Sequence, residues 1–364
     1  MTRIRLFPLL IALAVVGIGL SAAAQPVSIC DYTPPTNRLT ELTLSGEYHQ
    51  FEDKYLDDRN NVNAGSLLLQ GFAWSEQANW SYNFNGNANL RISPSGLELA
   101  SALSSEGQAR YYLQDDAFAF GGVDTTGLPG SGLTVSALAG GGMGRFRNVT
   151  PMAKAIQIAE VLQAQELIED FPGEETMTEL SQIIGSDRSM NTAEMLGRIE
   201  GLFEASFDVE AVLALQGVIN AQMTRFCGWD ATAGVGYPVL DPAGENNPFL
   251  RVRANYALTL DPNGRLLMRA EGRLPLPPAN AYNVNATLDY HRTLTPTSTL
   301  TTTYQYSRVQ EAAGDNYATH TVDLAVSAQV QAPMSLTAKA HGAVGDRFEE
   351  PEWGFDLGFE YRLF

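Results

Sequence analysis

Between Leu250 and Leu274 the odd positions carry Arg251, Arg253, Asn255, Arg265, Arg269, Glu271 and Arg273, while the even positions carry Leu250, Val252, Tyr256, Leu266, Met268 and Leu274. A period of two is that of a β-strand, whose successive side chains point to opposite faces. Asp261-Pro262-Asn263-Gly264 separates the two runs and predicts a three-residue hairpin loop, with Pro and Asn in a type I turn and Gly in the left-handed position. That closure sets residue 260 opposite 266, Arg253 opposite Arg273 and Asn255 opposite Glu271. The arginines then share one face of a sheet whose other face is apolar.

The alternation runs from Arg38 to Phe146 and again from Gly228 to Phe364. In "WSYNFNGNANLRI", Trp80, Tyr82, Phe84, Ala88, Leu90 and Ile92 oppose Ser81, Asn83, Asn85, Asn87, Asn89 and Arg91. Later, Val322, Leu324, Val326, Ala328 and Val330 oppose Thr321, Asp323, Ser327 and Gln329. Residues 150 to 225 carry helical signals instead. Thr150-Pro151 predicts a cap followed by Pro at the first helical position, and Phe171-Pro172-Gly173 a break. Further helices are predicted over 175–184, 191–205 and 208–224, the last capped by Asp208. Their apolar residues Met195, Leu196, Ile199, Leu202, Phe203, Val212, Leu215 and Ile219 must bury one another, which predicts a small helical unit with an acidic surface.

Arg3 and Arg5 precede an apolar run from Leu6 to Leu20 and then Ala22, Ala23 and Ala24, the order of a secretory signal peptide cleaved after Ala24. Loss of the two arginines takes the formal charge from −18 to −20, which disfavours nucleic acid as a partner. No later stretch offers the ~18 apolar residues of a membrane helix, so the exported chain is either soluble or crosses a membrane as strands. Cys30 and Cys227 are the only cysteines, and in an oxidising compartment they predict a disulfide, free thiols being the alternative. His49, His291, His320 and His341 show no metal-ligand spacing, and no nucleophile motif is present. "GGGMGR" at 140–145 lacks the Lys-Ser/Thr of a phosphate loop and reads as a close-packed strand end. Asp57, Asp58, Asn60 and Asn61 read as a solvated acidic loop rather than a calcium site. No cofactor, no metal and no enzymatic activity are expected.

Tight connections near Ala332-Pro333, Thr295 to Ser298 and Pro262 alternate with longer ones at 346–352, 310–316, 275–280 and 241–247. The count is about fourteen strands, about six before the helices and about eight after, if 97–121 forms two strands turning at Ser105-Glu106-Gly107. This alternation of turn lengths, with the C-terminal "EWGFDLGFEYRLF", resembles bacterial outer-membrane β-barrel proteins of the porin-like and transporter-like kind. Phe364 departs from the pattern, because the apolar phase from Trp353 to Leu363 runs on odd positions.

The resemblance implies an all-β antiparallel transmembrane barrel in a Gram-negative outer membrane, in contact with lipid and with the barrel-assembly machinery. It also places both termini and the insertion on the periplasmic side, where Cys30 and Cys227 would lie together. The expected organisation is a signal peptide (1–24), a periplasmic N-terminal segment (25–37), barrel strands (38–147), a helical insertion (148–227) and barrel strands (228–364). A secreted β-sandwich is disfavoured by the long strands and by Trp80, Tyr282, Tyr290, Tyr304 and Trp353 near strand ends, where interfacial girdles sit.

In such a barrel the leucine face meets lipid, since arginines there would cost ~2–4 kcal/mol each at the midplane. Arg251, Arg253, Arg265, Arg269 and Arg273 then point into the lumen, with Asp289, His291, Asp323, Lys339, His341, Asp356 and Glu360 as lumenal neighbours. The expectation is a passive or gated channel for small solutes, whose arginines oppose carboxylates across a transverse field. The alternative is a non-conducting structural or adhesion protein. In either, the insertion is a packed cap, a gate, or a contact for a periplasmic protein or the cell wall.

Overall fold

The computed structural model describes residues 29–32, 37–51, 62–77, 79–93, 96–98, 103–128, 132–185, 191–221, 223–242, 244, 247–276, 281–295, 297–310, 316–331, 334–346 and 352–362. The predicted signal peptide, the Asp57–Asn61 loop and Phe364 lie outside them.

Strands β1 (Asn37–Phe51), β2 (Val62–Glu76), β3 (Trp80–Ser93), β4 (two sections, Gly96–Glu98 and Leu103–Tyr112), β5 (Ala117–Leu128) and β6 (Gly132–Asn148) come first. Helices α1 (Thr150–Ala164), α2 (Glu174–Gly185), α3 (Thr192–Phe203) and α4 (Val209–Asn220) follow. The chain then returns through β7 (Phe226–Leu240), β8 (Phe249–Asp261), β9 (Gly264–Pro275), β10 (Tyr282–Thr295), β11 (Ser298–Gln310), β12 (Asn316–Gln331), β13 (Met334–Gly345) and β14 (Glu352–Arg362). Every strand pairs antiparallel with its chain neighbours, and β1 pairs with β14 from Thr43 opposite Arg362 to Glu47 opposite Gly358. The sheet is therefore a closed barrel of 14 strands, and closure leaves no edge.

The two sections of β4 lie end to end along one side of β3, Glu98 opposite Arg91 and Leu103 opposite Ala88. The expected turn at Ser105-Glu106-Gly107 is thus wrong: these residues sit inside β4, and the chain turns at 113–116. Small polar residues and glycine mimic a turn, but here they face the lumen or pack under a neighbour. The strand count survives because the strand over Ala117–Leu128 replaces the one lost. The hairpin at Pro262 also differs. Gly264 pairs with Asp261 and Arg265 with Thr259, so the loop has two residues and Leu260 is the extra residue of a bulge. Arg253 faces Glu271, Asn255 faces Arg269 and Arg251 faces Arg273. A slip of two residues keeps every side chain on its face while changing its partner.

Glycines shape one wall. Gly140, Gly141 and Gly142 lie in mid-β6 rather than at a strand end, between β5 and β7. A Cβ at Gly142 would stand 2.5 Å from the Phe118 ring, and one at Gly234 2.7 Å from Phe120. Both rings lie flat against bare backbone, filling the lumen beside β5 to β7. On the outer face Trp353 covers Gly342 in the same way.

The helices form their own core, in which Met152, Ile156 and Leu162 of α1 meet Met177 and Leu180 of α2, Ile199 of α3 and Leu215 of α4. Asn191 accepts from Glu194 N at 2.9 Å and Asp208 from Ala211 N at 2.8 Å, capping α3 and α4. Thr150 is not the cap but the first residue of α1, whose N-cap is Val149, and the Thr150 hydroxyl instead accepts from Arg225 N at 2.8 Å. The helix also stops at Ala164, before the expected break, and Glu166 takes a positive φ of 59°. Among the described residues no helix is long and apolar enough to cross a membrane, which says nothing of strands.

A disulfide joins Cys30 to Cys227 across 197 residues, with Cα atoms 5.3 Å apart. It ties the segment before β1 to the first turn of β7 at the end of the barrel that carries the helices. The helical unit docks there through Gln157, whose Nε2 donates to Asn263 Oδ1 at 2.9 Å, and through Arg225. The fully buried Arg225 guanidinium donates to Pro262 O at 3.0 Å and to Thr293 Oγ1 at 3.3 Å, bracing two hairpins. Burial pulls it down to about 10.

Two predictions follow from packing and burial. Gly140→Ala would set a Cβ 2.6 Å from Gly234 Cα and against Ala233 O. It is expected to lower unfolding free energy by about 1–3 kcal/mol in urea titration of the refolded barrel, whereas Gly272→Ala, with open space around it, changes little. Lys154 donates to Ile219 O at 2.5 Å, and burial lowers its ammonium to about 8. Its unfolded pKa is higher, so between these values the unfolded chain binds more protons and the helical unit gains stability as pH rises from about 8 toward 10. Helical ellipticity followed against urea at pH 7 and pH 10 checks this, and Lys154→Met should remove the pH dependence.

Candidate functional site: the lumen

Exposed side chains on the outer wall are apolar: Val252, Tyr256, Met268 and Leu274 on β8 and β9 lie 42–45% exposed. Their odd-numbered neighbours turn inward and line a cavity of about 830 Å³. Ser81, Asn83, Asn85 and Asn87 of β3 line one side, and Arg251, Arg253, Asn255, Arg269 and Arg273 of β8 and β9 another.

The charges in this cavity are organised. Arg251 donates to Asp124 at 2.7 Å, to Glu271 at 2.8 Å and to Glu106 at 3.2 Å. Arg253 meets Glu106 at 2.5 Å and Glu271 at 2.7 Å. Glu106 lies on β4 and Asp124 on β5, so two guanidinium groups reach from β8 past the intervening strands to side chains three and four strands away. Next to them Arg110 on β4 meets Asp230 on β7 at 2.6 Å, and Asn255 donates to the other Asp230 oxygen at 2.6 Å. Arg110 also lies over Phe118, 4.8 Å from its centroid. The result is a crossbar of bidentate pairs over a floor of phenyl rings and glycine backbone, so this part of the lumen is filled rather than open.

Arg269 and Arg273 stand apart from the crossbar. Neither has a carboxylate within salt-bridge distance among the described residues, although both line the cavity. Arg273 lies over the Phe249 ring at 3.6 Å, and Phe249 in turn covers Gly236. Arg265 is nearer the helical end, donating to Thr224 O at 2.7 Å.

The other residues anticipated for the lumen make local pairs on β10 to β14. Asp289 accepts from Thr303 at 2.8 Å, Lys339 meets Asp323 at 3.2 Å, and His341 Nδ1 lies 3.1 Å from Asp356. Of Glu360 only the backbone is among the described atoms, opposite Ser45 and Ser335. Among the described residues, neither Asp289 nor Asp323 ion-pairs with an arginine of β8 or β9. The carboxylates that do are Glu106, Asp124 and Glu271, and Asp230 binds the additional Arg110. Glu106 was hidden by its turn-like neighbours. Asp124 was hidden by phase, since Phe118 and Phe120 share its face and make the lumenal side of β5 look apolar.

At the helical end, Phe72 and Trp74 of β2 approach Phe226 of β7, with ring centroids 6.5 and 6.0 Å away, and Phe146 of β6 lies 5.2 Å from it. Leu267 of β9 completes this buried cluster.

The sequence matches no protein-family model and no curated protein. Among solved structures the fold is similar to a BenF-like porin from Pseudomonas fluorescens Pf-5 (9% identity, TM-score 0.37, covering 90% of this chain and 98% of that one). It is also similar to Pseudomonas putida OprB (8%, 0.36, covering 90% and 94%) and to Pseudomonas aeruginosa OprD (8%, 0.33, covering 94% and 99%). At this distance the likeness is one of overall fold.

Removing Arg253 leaves Glu106 and Glu271 to Arg251 alone. Arg253→Gln is expected to cost about 1–3 kcal/mol of unfolding free energy, less than breaking an isolated buried pair because Arg251 still meets both carboxylates. A double-mutant cycle with Glu271→Gln should return a coupling of at least about 0.5 kcal/mol, measured by urea titration.

Proposed function

We propose that this protein is an outer-membrane barrel that passes small solutes, with a preference for anions. The wall supports the membrane reading. Its unbroken strands run 11 to 17 residues, enough to span a hydrocarbon core when tilted. The exposed outer side chains include Phe84, Met143, Val235, Val326, Trp353, Phe355 and Leu357, a continuous apolar cover that water would penalise and lipid would not. The helical unit and the short turns share one end, which in this orientation is periplasmic. Outer-membrane lipid and the barrel-assembly machinery are the partners this reading entails, with the helical unit open to a periplasmic partner.

The observation that carries the anion preference is a reversal of sign. The chain as a whole has a formal charge of −18. Among the described residues the cavity lining holds six arginines, Arg110, Arg251, Arg253, Arg265, Arg269 and Arg273, against the four carboxylates Glu106, Asp124, Asp230 and Glu271. The crossbar uses the carboxylates, so Arg269 and Arg273 supply the field that a passing solute meets.

Purified, refolded protein in a planar bilayer under a KCl gradient tests this. Steady conductance with a reversal potential on the anion side is expected. Arg269→Glu combined with Arg273→Glu should move that potential toward cations, with the effect shrinking in 1 M salt, where the screening length falls to about 3 Å. A cation-selective or ohmically unselective wild type would overturn the anion preference. Absence of current from a barrel shown to be folded by heat-modifiable mobility would favour the non-conducting anchor.

A further inference from the structure

The aromatic contact at the helical end joins strands that are far apart on the wall. Counting around the closed sheet of 14 strands, β2 and β7 are five steps apart one way and nine the other. A barrel of this size has more interior than wall side chains alone can fill. Yet Trp74 and Phe226 lie 6.0 Å apart, edge to face, so the rings form a bridge across the lumen. Phe226 is 8% exposed and Trp74 7%, and both border the cavity described above.

Phe226 also holds a special place in the chain. It is the first residue of β7, directly after the helical unit. Arg225, on one side of it, is fully buried and hydrogen-bonded to the Pro262 turn and to Thr293. Cys227, on the other side, is bonded to Cys30, and the Phe226 carbonyl accepts from Thr259 Oγ1 at 2.9 Å. Cys30 belongs to the same core cluster as α1 to α4. The ring that bridges the pore is thus flanked by two links to the helical unit: the Arg225 backbone, which bonds to Val149 and Thr150 at the start of α1, and the disulfide to Cys30.

We propose that Phe226 is the closing residue of an apolar gate at the helical end of the pore, and that the helical unit, strapped by the Cys30–Cys227 disulfide, holds it shut. Apolar rings across a passage exclude water and with it hydrated ions, so a small displacement of one ring changes conduction more than it changes the wall. Phe72, Trp74 and Phe146 belong to strands whose pairing fixes them. Phe226 is paired too, with Asn148, but it is the terminal residue of β7 and the member of the cluster flanked by links to the helical unit, so loosening the disulfide strap gives its ring room to move. This rests on the channel reading above.

The test is single-channel recording of the full chain with polyethylene glycols of graded size as probes of pore width. Phe226→Ala should raise conductance by about twofold or more and admit larger polymers, while Phe226→Leu, which keeps apolar bulk, should stay near wild type. Reduction of the wild-type disulfide with dithiothreitol should increase open time, and Cys30→Ser should reproduce this without reductant. If Phe226→Ala conducts as wild type does and excludes the same polymers, while the arginine double variant still shifts ion preference, the gate is refuted and the channel stands. If no variant conducts, Phe226→Ala with Trp74→Ala included, and the barrels remain heat-modifiable, the channel reading fails and the gate with it.

Discussion

The pairing of β1 with β14 is the constraint from which the other features follow. Once Thr43 to Glu47 hydrogen-bond to Gly358 to Arg362, the sheet has no free edge and every strand has only an inside and an outside. Closure turns a period-two sequence into two surfaces of opposite character. The outer one collects Val252, Tyr256, Met268 and Trp353, and the inner one collects the arginines and their partners. An open sheet with the same alternation would have to cover its apolar face with another layer. Here the surroundings of the barrel do that, so the interior is free to be polar.

A polar interior still has to be filled in part, and the chain does this unevenly. Glycines at 140, 142, 234 and 236 let Phe118, Phe120 and Phe249 lie against backbone, which removes volume without adding charge. Over that floor, Arg251 and Arg253 reach past the intervening strands to Glu106 and Asp124. Each guanidinium meets more than one carboxylate, so the desolvation it suffers is offset by bidentate geometry. The remaining cavity is left to neutral amides and to Arg269 and Arg273, a division between charges paired across the crossbar and charges facing the cavity.

The helical unit has its own core and caps, but its placement depends on a few polar anchors. Arg225, Gln157 and the Cys30–Cys227 bond hold it to the turn end of β7 to β10. Two of these anchors, Arg225 and Cys227, flank Phe226. The connection between the helical core and the lumen is therefore short, and it runs through the backbone of residues 225 to 227.

Much of this was legible in the sequence. Period-two runs named the strands, their faces and the orientation of Arg251 to Arg273, because side-chain alternation is a property of a single strand. Helical periodicity marked the insertion, and Asp208 its last cap. Two kinds of information were not local. The register at Pro262 depended on whether Leu260 bulges, and a two-residue change there replaced Arg273 by Glu271 as the partner of Arg253. The partners across the lumen, Glu106 with Arg253 and Trp74 with Phe226, lie on strands that are not neighbours. No spacing rule relates such residues. Sequence alone determined which face each side chain takes, since that follows from the geometry of one extended chain. Only the closed barrel decided which inward side chains meet, because its diameter, curvature and register set the distances between walls.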